Sequence, residues 1–187
     1  MVSALRTRKF TALFACFDSD KNGVLEQRDY EQFARNLSQA YNLAPGTAAY
    51  AAMYAETMAL WDFVHNVADQ DGDHRITPAE FIAAYGALTN DDATFQQLLM
   101  SYAAYVIRTG DQNGDGRLDE DEYATILCCY GIADAAARAA FRHLVTDGSG
   151  YLTNRAMEQI FAEFFRSDDP AAPGNWMIGP MEGDSRQ

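Results

Sequence analysis

Asp111-Gln112-Asn113-Gly114-Asp115-Gly116-Arg117-Leu118-Asp119-Glu120-Asp121-Glu122 decides the reading of this chain. Oxygen-bearing side chains stand at positions 1, 3, 5, 9 and 12 of the stretch, with glycine at 6 and an aliphatic at 8. Three further segments share this layout, which makes it an internal repeat. They are Asp18-Ser19-Asp20-Lys21-Asn22-Gly23-Val24-Leu25, Asp69-Gln70-Asp71-Gly72-Asp73-His74-Arg75-Ile76 and Val145-Thr146-Asp147-Gly148-Ser149-Gly150-Tyr151-Leu152. Position 12 reads Asp29, Glu80, Glu122 and Ala156 in chain order.

The flanks support the same register. The residues eight, five, four and one before each loop are Phe10, Leu13, Phe14, Phe17; Trp61, Val64, His65, Ala68; Ala103, Val106, Ile107, Gly110; and Ala137, Ala140, Phe141, Leu144. After the loops come Tyr30, Phe33, Ala34, Leu37; Phe81, Ala84, Tyr85, Leu88; Tyr123, Ile126, Leu127, Tyr130; and Met157, Ile160, Phe161, Phe164. That is the i, i+3, i+4, i+7 stripe of an amphipathic helix on both sides of every loop. The unit is a helix, a twelve-residue loop and a helix, four times over: the EF-hand. An all-α fold is expected, with four such units in two paired lobes; the resemblance given below implies that these pack into one compact globule. Short β-contacts should join the paired loops, Leu25 with Ile76 and Leu118 with Leu152.

The spacing suits a hard cation. Calcium takes six to eight oxygens at roughly 2.3–2.6 Å. A tight loop can aim positions 1, 3 and 5 at one point, add the carbonyl of 7 and the side chain of 9, and close with a carboxylate at 12. Site 1 is expected to use Asp18, Asp20, Asn22, the Val24 carbonyl, Glu26 and Asp29. Asp29 is one methylene shorter than glutamate, which suits magnesium as well as calcium. Site 2 is Asp69, Asp71, Asp73, the Arg75 carbonyl, Thr77 and Glu80; site 3 is Asp111, Asn113, Asp115, the Arg117 carbonyl, Asp119 and Glu122. Loop 4 has Val145 and Ala156 where the first and last carboxylates belong, so it should be folded and metal-free. His74 replaces the turn glycine of loop 2 and should point to solvent; His65 reads as a core histidine.

The balance of 14 Lys+Arg against 27 Asp+Glu leaves a formal charge of -13. That excludes a general nucleic-acid binder, which needs a basic face, and disfavours attraction to anionic membrane. With 48% hydrophobic residues the chain is not a disordered acidic tail. No stretch approaches the ~18 apolar residues of a membrane span. The beginning lacks the apolar run of a signal peptide, so a cytoplasmic monomer is expected. Cys16, Cys128 and Cys129 read as buried or half-buried free thiols.

Loop starts at 18, 69, 111 and 145 leave a long first gap. It should hold an exit helix to about Gln39, a break at Ala44-Pro45-Gly46, and a helix over Ala48 to Ala68 capped by Thr47. Asp91 or Asn90 should cap the helix entering loop 3, and Asp134 the one entering loop 4. The expected division is 1–89, 90–167 and a tail, 168–187, whose cluster Trp176, Met177 and Ile178 folds back onto the body.

The long first gap, three good hands with one decayed, and the tail Asp168-Asp169-Pro170-Ala171-Ala172-Pro173-Gly174-Asn175-Trp176 resemble the sarcoplasmic calcium-binding proteins, with calexcitin and the calerythrin-type proteins. The resemblance implies two lobes packed together. Loops 1 to 3 together predict three bound calcium ions, the chain shows no nucleophile–base pair, phosphate loop or Cys/His cluster of an enzyme, and its aromatic core positions suit a cytosolic buffer or transporter. A sensor acting on an unidentified protein target, or a luciferin-type ligand binder on the same scaffold, are the alternatives. Methionines scattered at 1, 53, 58, 100, 157, 177 and 181 give no Met-rich target groove and favour the buffer.

Overall fold

The computed structural model describes residues 2–181. Eight α-helices are present among them: α1 (Ala4–Phe17), α2 (Gln27–Ala40), α3 (Ala48–Ala68), α4 (Pro78–Leu88), α5 (Asp92–Gly110), α6 (Glu120–Cys129), α7 (Asp134–Leu144) and α8 (Asn154–Arg166). Local chemistry sets their ends. Ser3, Thr47, Thr77, Asp91, Asp119 and Thr153 each accept a hydrogen bond from a first-turn backbone N–H of the helix they precede. Asp134 departs from expectation. Ala133 is the residue before α7, and Asp134 is already helical, paired with Arg138 one turn on at 3.0 Å. Its carboxylate acts on the helix N-terminus through charge rather than by capping.

Loops 1 and 2 touch through reciprocal bonds, Leu25 N–H to the Ile76 carbonyl at 2.9 Å and Ile76 N–H to the Leu25 carbonyl at 3.0 Å. Loops 3 and 4 pair as strands β1 (Arg117–Leu118) and β2 (Leu152–Thr153), antiparallel, with Leu118 opposite Leu152. All four position-8 aliphatics are buried. The helical stripes converge on one core: every stripe position is buried except His65, Leu88, Val106 and Tyr130, which are half-buried.

The two pairs of hands pack directly on each other. α1 meets α8 and α2 meets α6. Phe33 of α2 stacks on Tyr130 after α6 with centroids 3.8 Å apart, and Phe10 of α1 lies 6.0 Å from Phe165 of α8. Arg6 and Arg166 both reach the buried Thr89 between the two pairs: Arg6 to its hydroxyl, Arg166 to its carbonyl at 2.8 Å. No described helix is long and apolar enough to cross a membrane.

The chain after α8 lies against α7 and α8 and forms a 3₁₀ turn, Pro173–Trp176. Met177 is buried, and its carbonyl accepts the Tyr123 hydroxyl at 2.5 Å. Trp176 stacks on His143 at 3.7 Å. Gly174 seats this turn so closely that a Cβ would fall 2.6 Å from the Ile160 carbonyl oxygen. The expected tail boundary runs to 187, so its last residues lie outside those described. Of the cysteines, Cys16 is half-buried and Cys129 buried, and burial pushes both thiols up to about 11. Cys128 is exposed, against expectation, because it falls on the outer face of α6.

Candidate metal centres

The four loops follow one hydrogen-bond plan, and its gaps are informative. In loops 1 to 3 the position-1 carboxylate accepts backbone N–H groups across the turn. Asp18 takes those of Asn22 (3.1 Å) and Gly23 (3.0 Å). Asp69 takes Gly72 (2.9 Å) and His74 (3.2 Å). Asp111 takes Gly114 (2.7 Å) and Gly116 (2.8 Å). Side chains at 3 and 5 then fold over the next turn of backbone. Asp20 accepts from Asn22 and Asn22 from Val24. Asp71 accepts from Asp73 and Asp73 from Arg75. Asn113 accepts from Asp115 and Asp115 from Arg117.

Position 12 closes each loop in one way. Glu80 accepts the N–H of Gln70 (3.3 Å) and of Thr77 (2.8 Å); Glu122 accepts those of Gln112 (3.0 Å) and Asp119 (3.1 Å). The Thr77 backbone and hydroxyl hold the Glu80 carboxyl below its ordinary value. The shorter Asp29 makes the same two contacts, with Ser19 (3.0 Å) and Glu26 (2.9 Å), and is buried. One methylene is lost, yet the carboxylate still spans both sides of its loop.

One carboxylate oxygen each from Asp18, Asp20 and Asp29 lies within 4.8 Å of the others, and so do Asp69, Asp71 and Asp73. Oxygens so spaced can all stand about 2.3–2.6 Å from one point, the coordination distance of calcium. The all-oxygen donor set fits a hard divalent ion. In loop 3 Asn113 stands at position 3 in place of an acid, and Asp115 pairs with the Arg117 guanidinium at 3.0 Å besides its contact within the loop. Val24, Arg75 and Arg117 occupy position 7 with their carbonyls, and Glu26, Thr77 and Asp119 position 9, each just before an exiting helix. Glu26 also pairs with Arg28 and, at 3.5 Å, with Arg75 of the neighbouring loop.

Loop 4 keeps the inner half of the plan. Asp147 accepts from Ser149 at 2.9 Å, and Ser149 Oγ from Tyr151 at 3.2 Å. No carboxylate stands at position 1 or 12. Gly148 and Gly150 preserve the turn with φ of 71° and 78°.

Two features escape the sequence reading. Position 4 as well as position 6 is left-handed in every loop, so Lys21 adopts φ 58°; only the turn at 6 carries an obvious glycine signal in loop 1. His65 is not a core histidine. It is half-buried and faces loop 2, with Nε2 3.0 Å from Asp69 Oδ2 and 2.9 Å from His74 Nδ1. His74 is exposed, as expected, and adopts φ 63°.

A left-handed residue with a Cβ costs roughly 1 kcal/mol relative to glycine. His74→Gly should therefore tighten calcium at loop 2 by up to about fivefold, read as a shift in its dissociation constant. Weaker binding in the variant would contradict the turn argument.

The comparisons agree with this geometry. A family model described as EF hand matches residues 104–127, the third loop with its flanks. Calerythrin of Saccharopolyspora erythraea is 28% identical over 155 residues, 82% of this chain and 88% of that protein. Sarcoplasmic calcium-binding protein 1 of Astacus leptodactylus is 29% identical over 175 residues, 89% and 91% of the two chains. The structure of a Streptomyces coelicolor calcium-binding protein, described as a basis for prokaryotic calcium-mediated regulation, superposes with a TM-score of 0.72 at 29% identity, covering 86% of this chain and 97% of that one. Fold, loops and likenesses agree: residues 104–127 match the EF hand, and the four loops share its layout. Over most of its length the chain is similar to calerythrin and to a sarcoplasmic calcium-binding protein.

Proposed function

We propose that the chain binds three calcium ions, in loops 1 to 3, and works as a calcium buffer. The observation that carries this reading is the shared hydrogen-bond plan of the loops, with carboxylates at positions 1 and 12 three times and at neither position in loop 4. Asp18, Asp20, Asn22, the Val24 carbonyl, Glu26 and Asp29 would hold the first ion, and site 1 would accept magnesium because Asp29 favours the smaller shell. Asp69, Asp71, Asp73, the Arg75 carbonyl, Thr77 and Glu80 would hold the second. Asp111, Asn113, Asp115, the Arg117 carbonyl, Asp119 and Glu122 would hold the third.

Packing favours buffering over sensing. A sensor opens its hands to expose an apolar groove. Here the apolar faces of the two pairs of hands are already spent on each other, and the tail residue Met177 joins the same core. Binding calcium to a calcium-depleted chain should therefore raise the fluorescence of a hydrophobic-surface dye little or not at all; a several-fold rise would favour a sensor. A small-ligand binder has less support. The apolar cavity between Leu13, Phe17, Tyr102, Ile126 and Phe161 measures about 70 Å³, well below the ~300 Å³ of an ordinary ligand pocket; a larger space of about 340 Å³, beside Glu56, Phe63, Leu98 and Arg108, lies between α3 and α5 and not in the core.

Loop 4 supplies a direct test of the donor argument. Val145→Asp together with Ala156→Glu should create a fourth site, seen as one more ion per chain by titration calorimetry. Either change alone should not, since one carboxylate cannot replace the hydration shell of a divalent ion. A fourth ion in the unaltered protein would contradict the assignment.

A further inference from the structure

Hand 2 departs from the repeat at two places, and the two departures touch. Four residues before the loop, hands 1, 3 and 4 carry Phe14, Ile107 and Phe141, all buried, where hand 2 carries His65. At loop position 6 the others carry Gly23, Gly116 and Gly150, where hand 2 carries the strained His74. His65 and His74 meet with ring nitrogens 2.9 Å apart, and Asp69 Oδ2 lies 3.0 Å from the first and 4.0 Å from the second. We propose that His65, His74 and Asp69 form a site for a divalent transition ion of the nickel(II) or copper(II) kind, sharing Asp69 with the calcium site of loop 2.

The geometry carries the choice of ion. A circle through three atoms 2.9, 3.0 and 4.0 Å apart has a radius of about 2.0 Å, the length of a metal–imidazole bond. Two imidazole nitrogens and one carboxylate oxygen make the mixed N,O donor set that nickel(II) and copper(II) favour. The rings are tilted by only 9° with centroids 5.1 Å apart, so their facing nitrogens share a proton. Seating an ion displaces that proton and turns both rings, His74 the more freely because its side chain is 79% exposed. Asp62 lines the same surface depression and offers a further oxygen donor. Imidazole nitrogen is a poor ligand for calcium and a good one for nickel and copper, which separates the two metals at adjoining positions. The sharing of Asp69 rests on the calcium reading above; the histidine pair does not.

Nickel chloride added to the calcium-depleted full chain tests this, because nickel, unlike copper, does not oxidise the exposed Cys128. One equivalent should broaden the ring-proton resonances of His65 and His74 and spare His143, which lies apart, stacked on Trp176. His74→Gly, whose turn glycine tolerates, and His65→Gln should each weaken nickel binding at least tenfold. Equal broadening of all three histidines, no broadening, or undiminished binding in both variants would overturn the site. Saturating calcium should weaken nickel several-fold, and nickel should weaken one calcium ion by the same factor, because linkage is reciprocal. Nickel binding indifferent to bound calcium would overturn the sharing of Asp69. A chain that takes nickel through both histidines but no calcium would overturn the calcium reading and leave the histidine site standing.

Discussion

Stripping calcium should lower the melting temperature by about 25–50 °C. Each site stabilises the fold by about 4 kcal/mol when free calcium stands ~1,000-fold above its dissociation constant. Three sites give about 12 kcal/mol, and a chain of this size shifts by about 2–4 °C per kcal/mol. The sign follows from the charges. Loops 1 to 3 hold twelve acidic side chains at ligand positions, Asp18, Asp20, Glu26, Asp29, Asp69, Asp71, Asp73, Glu80, Asp111, Asp115, Asp119 and Glu122. Without an ion, those within each loop repel one another at short range. Three divalent ions neutralise six of the net thirteen negative charges, so folding no longer has to hold them together uncompensated. Scanning calorimetry with calcium and with chelator measures the difference. A melting temperature indifferent to the chelator would show that the carboxylates hold no ion that matters to the fold.

Lys9→Met should cost about 2 kcal/mol at neutral pH, and more in alkali. Lys9 is buried, and its ammonium donates to the Glu163 carbonyl (3.1 Å), the Ser167 carbonyl (2.7 Å) and Asn175 Oδ1 (3.0 Å). It thereby ties α1 to the end of α8 and to the tail. Methionine fills the volume but leaves buried acceptors unpaired, at roughly 1–3 kcal/mol each, offset in part by the charge no longer desolvated. Burial pushes the Lys9 pKa down to about 8 from 10.5, against the opposing pull of Asp168. Between those values the unfolded chain holds the extra proton, so this group makes the wild-type protein more stable as pH rises. The gap between wild type and Lys9→Met in urea unfolding should widen from pH 7.5 to 10. A gap that narrows, or a variant as stable as wild type, would remove Lys9 from the account.

Much of this was written in the sequence because an EF-hand is a local device. Ligand spacing, the turn at position 6, the aliphatic at 8 and the stripes on either side all lie within about thirty residues. The eight helices, the pairings of Leu25 with Ile76 and Leu118 with Leu152, and the decay of loop 4 follow from that pattern. Illegible features come from contacts across the chain or from angles a stripe cannot resolve. Lys9 lies four residues before Leu13, on the inner face of α1; nothing local shows that three acceptors from α8 and the tail await it. His65 occupies a stripe position, yet it sits at the loop end of α3, where the stripe faces Asp69 and His74 as much as the core. Lys21 enters the left-handed region because the loop plan dictates it, against its own preference. Nor does the loop pattern show that the position-5 acid of loop 3, Asp115, also meets the Arg117 guanidinium.

Native mass spectrometry of the full chain across a calcium titration tests the central claim most directly. The account predicts saturation at three calcium ions per chain. Glu122→Gln, which removes the closing charge of loop 3, should reduce the count to two. Saturation of the unaltered chain at four ions, or at fewer than three, would contradict it.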